Sequence, residues 1–73
     1  MRFNIGDLVK LHDPSDKDRR IGIVIDISPK TAHLVSHGKV AIIRVYWPLV
    51  GETDWEYDFF LRKFEEDLTS KKK

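Results

Sequence analysis

The sequence predicts a mainly β protein: a small SH3-like barrel of four to five strands with a short C-terminal helical turn or helix. Three observations lead there. Short runs of β-branched and aromatic residues alternate with polar ones, as half-buried strands require. Gly and Pro sit between those runs, where tight turns need them. The chain has 73 residues, room for one core and not for two.

The first run, Leu8-Val9-Lys10-Leu11, follows a turn at Gly6-Asp7 and reads as a strand with Val9 and Leu11 on one face. His12 to Arg20 is polar and broken by Pro14, hence a surface loop. Ile21 to Ile27 is the clearest strand, with Ile21, Ile23, Ile25 and Ile27 expected to face the core and Gly22, Val24 and Asp26 expected to face away. Ser28-Pro29-Lys30 reads as a turn, because proline cannot donate to a central ladder. Thr31–Ser36 is a third strand, and Lys39–Trp47 a fourth, with Ala41, Ile43, Val45 and Trp47 on one face. Leu49–Asp54 is expected to be a loop. For the last segment the spacing favours a helical turn at Tyr57–Phe60 and a closing strand at Leu61–Phe64, and a full helix is the rival. The expected core is Ile5, Val9, Leu11, Ile21, Ile23, Ile25, Leu34, Ile43, Val45, Trp47, Leu61 and Phe64. Residues 1–68 are expected to form the domain and residues 69–73 a flexible basic tail ending in three lysines.

Composition narrows function mainly by exclusion. The absence of cysteine excludes disulfides, thiol chemistry and thiolate metal sites. No apolar run approaches the length of a bilayer span and the opening residues lack a leader-like stretch, so a cytoplasmic protein without a membrane partner is expected. A net charge of +1 does not advertise nucleic-acid binding. Asp54, Glu56 and Asp58 would share one face of an extended segment, as a glycosidase pair or cation site could, but without further ligands they read as an acidic solvated surface; Ser28 and Ser36 lack a nucleophile motif and the glycines are isolated, so neither an enzyme nor a cofactor or metal is expected. His33 and His37 near the Gly38 turn, with Asp26, make only a weakly spaced set against the three or four ligands a metal needs.

Six aromatic residues, Tyr46, Trp47, Trp55, Tyr57, Phe59 and Phe60, crowd one short region among acids. A domain this small cannot hide six large rings, so some are expected to form a contact surface. The candidate protein-binding set is Trp47, Trp55, Tyr57 and Phe59, with Asp54, Glu56 and Asp58 selecting a basic partner or a second copy of the chain. The competing reading is that Trp55 and Phe59 only cover an open end of the barrel. A second candidate is nucleic-acid binding along Lys17, Arg19, Arg20, Lys30 and Lys39, opposed by the acids interspersed in the first loop.

Gly22-Ile23-Val24-Ile25-Asp26-Ile27 resembles the glycine–x–valine–x–x–isoleucine core of KOW-type SH3-like modules, and Gly6-Asp7-Leu8-Val9-Lys10 resembles their opening strand. With Val45-Tyr46-Trp47, an acidic loop and Leu61-Arg62-Lys63-Phe64, the order is similar to that of small SH3-like proteins of T4-like tailed bacteriophages. That resemblance implies a barrel, a phage origin and the host cytoplasm as location. KOW modules often contact RNA or protein, but this chain lacks their strong basic surplus.

Overall fold

Extended, β-branched segments leave their backbone N–H and C=O groups to be satisfied by neighbours, and here five antiparallel strands satisfy them in one sheet. The computed structural model describes residues 2–12 and 17–64. The strands are β1 (Leu8–Leu11), β2 (Gly22–Leu34), β3 (Gly38–Trp47), β4 (Glu52–Tyr57) and β5 (Leu61–Lys63), in the order β4-β3-β2-β1-β5. The sheet is open, with β4 and β5 as its two edges. Short 3-10 turns occupy Lys17–Arg19 and Asp58–Phe60, and no helix among the described residues is long and apolar enough to cross a membrane. The helical turn followed by a short strand therefore replaces the rival full helix over Tyr57–Phe64. The expected tail at 69–73 and the end of the 1–68 domain lie outside the described residues.

Two predicted strands are one. β2 runs 13 residues through Pro29. Its pairing with β3 shifts between Val24 and Asp26, and again between Ile27 and Thr31. The second irregularity is where a proline without an N–H is tolerated inside a paired strand, and Lys30 N donates locally to Ser28 Oγ at 3.1 Å. The first shift inverts the expected faces. Gly22 and Val24 are buried, whereas Ile25 is exposed. Val24 pairs with Val45 on the core side; one extra residue later, Asp26 opposes outward-facing Arg44 and Ile27 opposes inward-facing Ile43. A period-two pattern read across a bulge changes face, as it does here.

The buried cluster is Phe3, Val9, Val24, Ala41, Ile43, Val45, Trp47 and Leu61, with Leu11, Ile27 and Val50 packed against it. Ile5, expected inside, is exposed, and Phe3 takes that place. The reason is the turn at residues 4–7. Asn4 N donates to the Asp7 carboxylate, Gly6 N donates to Val24 O at 2.8 Å, and Val24 N donates to Asp7 O at 3.0 Å. Pinned to β2 in this way, the turn folds Phe3 under the sheet, and Lys63 of β5 holds Asp7 at 3.4 Å.

Trp47 is the largest buried side chain, and Gly22 makes room for it. A Cβ at Gly22 would lie 2.6 Å from Val45 Cγ1 and 2.7 Å from the Trp47 ring. The indole thus lies close over the β2 backbone. Among the described residues its Nε1 finds no hydrogen-bond acceptor, at a cost of about 1–3 kcal/mol that the area of the ring offsets. After Trp47 the chain reverses: Val50 N and Gly51 N both donate to Trp47 O, and Gly51 takes a φ of 79° that other residues rarely adopt. The turn is complete by Gly51, so the expected loop ends early and β4 begins at Glu52.

Gly22→Ala is expected to destabilise the chain by about 1–3 kcal/mol through overpacking against Val45 and Trp47. Urea unfolding followed by Trp47 fluorescence should show a lower midpoint with an unchanged slope.

Candidate protein-binding groove

Side chains alternate across a strand, so the aromatics and acids of β4 part company. Register pairs Ile42 with Tyr57, Arg44 with Trp55 and Tyr46 with Thr53. These residues share the face of the sheet away from the core. The intervening pairs, Ile43 with Glu56, Val45 with Asp54 and Trp47 with Glu52, share the core-facing side. The predicted mixed surface of rings and acids is therefore divided by the strand itself. Inward-pointing charges on an edge strand also discourage pairing with a foreign sheet.

Trp47, placed on the contact surface by sequence crowding, is the clear correction: it is 0% exposed and belongs to the core. Trp55 is 50% exposed. The Arg44 guanidinium sits 5.7 Å from the Trp55 ring centroid and is steadied by a hydrogen bond to Thr53 Oγ1 at 3.2 Å. Tyr57 and Phe59 are half-buried members of a row of rings at the 58–60 turn. Tyr57 and Phe59 lie 5.8 Å apart, Phe59 and Phe60 4.5 Å, and Tyr57 and Phe60 6.3 Å. The row ends on His37, which the sequence offered only as a member of a weakly spaced metal-ligand set: its ring stacks on Phe59 at 3.7 Å, nearly parallel, and His37 Nδ1 lies 2.7 Å from Ser36 Oγ. Phe59 thus braces the β2–β3 turn against the 58–60 turn.

The three acids have separate fates. Asp54 binds Arg19 at 2.9 Å, so a predicted protein-binding acid and a predicted nucleic-acid-binding cation form a pair. Asp58 accepts Ala41 N at 3.2 Å, just beyond the last β3–β4 pair, and holds the 58–60 turn to β3. Glu56 has no salt-bridge partner among the described residues. Burial raises its pKa above the ordinary 4.5, repulsion from Asp54 adds to the rise, and Arg19 opposes it.

A shallow groove of about 320 Å³ is lined by Ile42, Trp55, Glu56, Tyr57 and Phe60. The Phe60 carbonyl accepts His12 N at 2.6 Å, next to the Leu11–Leu61 pair of β1 and β5. Ile42 and Phe60 were not among the predicted site residues. Their signal was the register of β3 with β4 and the 58–60 turn, and neither can be read from local pattern.

The nucleic-acid candidates are scattered. Arg19 is committed to Asp54, Arg20 is exposed, and the Lys17 side chain lies outside what the structure describes. Lys30 and Lys39 are exposed on the far arm of the β2–β3 hairpin. No group of three or more His, Asp or Glu that could hold a metal ion occurs among the described residues. No family model matches the chain, and neither a curated protein nor a solved structure shows significant similarity to it.

Glu56 supplies a pH test. Its folded-state pKa lies above the unfolded value, so the folded chain holds that proton more readily and ionised Glu56 destabilises the fold at neutral pH. The penalty fades as pH falls through the raised value and is gone below about 4.5, the ordinary value. Glu56→Gln should therefore raise the thermal midpoint at neutral pH, and the gain should vanish in melts taken below the ordinary carboxylate range.

Proposed function

We propose that this chain is a non-catalytic protein-binding module on an SH3-like scaffold, with the groove between β3, β4 and the 58–60 turn as its contact surface. The scaffold reading is supported by the order β4-β3-β2-β1-β5 and by a long, bulged β2. The start of β2 pairs with both β1 and β3. A 3-10 turn just before the last strand supports it too. A further closure of such a sheet brings its edge strands towards each other around the core.

One observation carries the functional reading. Trp55, Phe60 and Tyr46 are large apolar residues exposed on the outer face and its border, while Trp47 of the same sequence cluster is buried. Clustered exposed aromatics beside a concavity are the composition of interface centres, where rigid rings bury much area at little entropic cost. The partner is a peptide segment or protein loop, because the groove is shallow and open to the sheet edge.

A second reading has its own observation. From Ile27 to Gly51 the chain has no acidic residue, yet it carries Lys30, Lys39, Arg44, His33 and His37. The hairpin arm bearing Lys30 and Lys39, with Val35 fully exposed at its turn, is a basic projection suited to a phosphate backbone.

Selection of a displayed random peptide library against the folded chain tests the first reading. Selected peptides should lose at least about tenfold in affinity against Trp55→Ala and Phe60→Ala, the loss typical of a central interface aromatic. Peptides that bind both variants as well as the parent would move the contact surface elsewhere. For the second reading, affinity for a single-stranded oligonucleotide should drop steeply with added salt and drop again in Lys30→Ala/Lys39→Ala. Salt-insensitive or absent binding at low ionic strength removes it.

A further inference from the structure

Strand parity sets one cation amid the apolar residues of the outer face. Arg44 is paired with Trp55, and on its own strand it alternates onto the same side as Ile42 and Tyr46. Leu8 and Ile23 continue that face from Tyr46 across β2 and β1. Leu8, Tyr46 and Trp55 are exposed, whereas Glu52, Asp54 and Glu56 belong to the opposite side of β4. An arginine among exposed aromatic rings is the composition of an interface centre.

The guanidinium is held in place but not neutralised. It sits 5.7 Å from the Trp55 ring centroid and donates to Thr53 Oγ1 at 3.2 Å. Among the described residues it has no salt bridge. Asp26 of β2 is its register partner on the side away from Trp55, but that carboxylate accepts Ile27 N at 2.8 Å while Arg44 reaches towards β4. A guanidinium carries five N–H donors in one plane, so the bond to Thr53 leaves most of the fork for a second acceptor.

We propose, resting on the reading of this face as the protein-binding surface, that the partner segment is acidic. A glutamate or aspartate carboxylate of the partner binds the Arg44 guanidinium at the rim of the groove, and its apolar neighbours cover Trp55 and Phe60. The favoured charge is the reverse of the one that the acids crowded in the sequence suggest, because the acids of β4 face the other side of the strand.

Charge complementarity selects this occupant. No acidic residue occurs from Ile27 to Gly51, so β3 and its two turns add no competing carboxylate. A neutral segment laid over Trp55 would strip water from Arg44 with nothing in exchange, and a basic one would meet a like charge. A carboxylate replaces the lost water with charge-assisted hydrogen bonds to a donor whose side chain is already ordered.

The test pans a displayed random peptide library against the full chain and against Arg44→Gln, with the fold of each variant checked by its melting curve. Peptides selected by the parent should be enriched in aspartate and glutamate, and those selected by Arg44→Gln should not. Replacing the acidic residue of a selected peptide by glutamine should weaken binding to the parent at least about tenfold, and to Arg44→Gln about twofold or less. Arg44→Lys, which keeps the charge without the fork, should fall between them. Selected peptides that need Trp55 and Phe60 but lack acidic residues, or that bind Arg44→Gln as tightly as the parent, would overturn the acidic assignment alone. An empty selection, or peptides indifferent to Trp55→Ala and Phe60→Ala, would remove the protein-binding reading and this inference together. A single-stranded oligonucleotide that depends on Arg44, where no acidic peptide does, would overturn the assignment and give the guanidinium to a phosphate.

Discussion

The contact between the Trp47 indole and the bare backbone at Gly22 governs the rest of the structure. A ring this large enters the core of a small sheet only where the facing strand carries no Cβ, and Gly22 supplies that place beside Val45. The contact sets Val24 against Val45 on the core side and leaves Tyr46 opposite Ile23 on the outside. Parity then propagates. β4 follows β3 after a turn closed on Trp47 O, so Asp54 and Glu56 face the core side while Trp55 and Tyr57 face outward. The outer wall of rings and the half-buried acids at the β4 edge are both consequences of where one tryptophan is seated.

The acids of β4 show how a single feature serves two ends. Inward-facing carboxylates make the strand a poor template for pairing with another sheet. They also strain the fold electrostatically, which Arg19 relieves for Asp54 and leaves largely unrelieved for Glu56. Asp58, by contrast, is satisfied by the Ala41 N–H, and its part is to fix the turn that presents Phe59 and Phe60.

The 58–60 turn joins the two halves of the sheet. Its Phe60 carbonyl accepts His12 N beside β1, its Phe59 ring stacks on His37 at the end of the β2–β3 hairpin, and Asp58 reaches β3. Three residues thus tie the ends of strands that are far apart in the sheet order. This explains why large aromatics sit in a turn that backbone preference alone would fill with small polar residues.

Local pattern determined the class of this protein. β-branched alternation, isolated glycines and an all-polar first loop specify short antiparallel strands, and a short helical segment before the final strand was legible from Tyr57 to Phe64. The crowding of aromatics marked a region where Trp55 and Phe60 are exposed and Trp47 is buried. Tertiary structure alone decided the faces. The bulge after Val24 reversed the isoleucine pattern of β2, Pro29 proved compatible with a strand because the ladder shifts there, and the 4–7 turn exchanged Ile5 for Phe3 in the core. The same limit separated Trp47 from Trp55 and joined Asp54 to Arg19. The physical reason is that alternation fixes which residues share a face but not which face is buried: one inserted residue inverts it, and pairing with a distant strand chooses the answer.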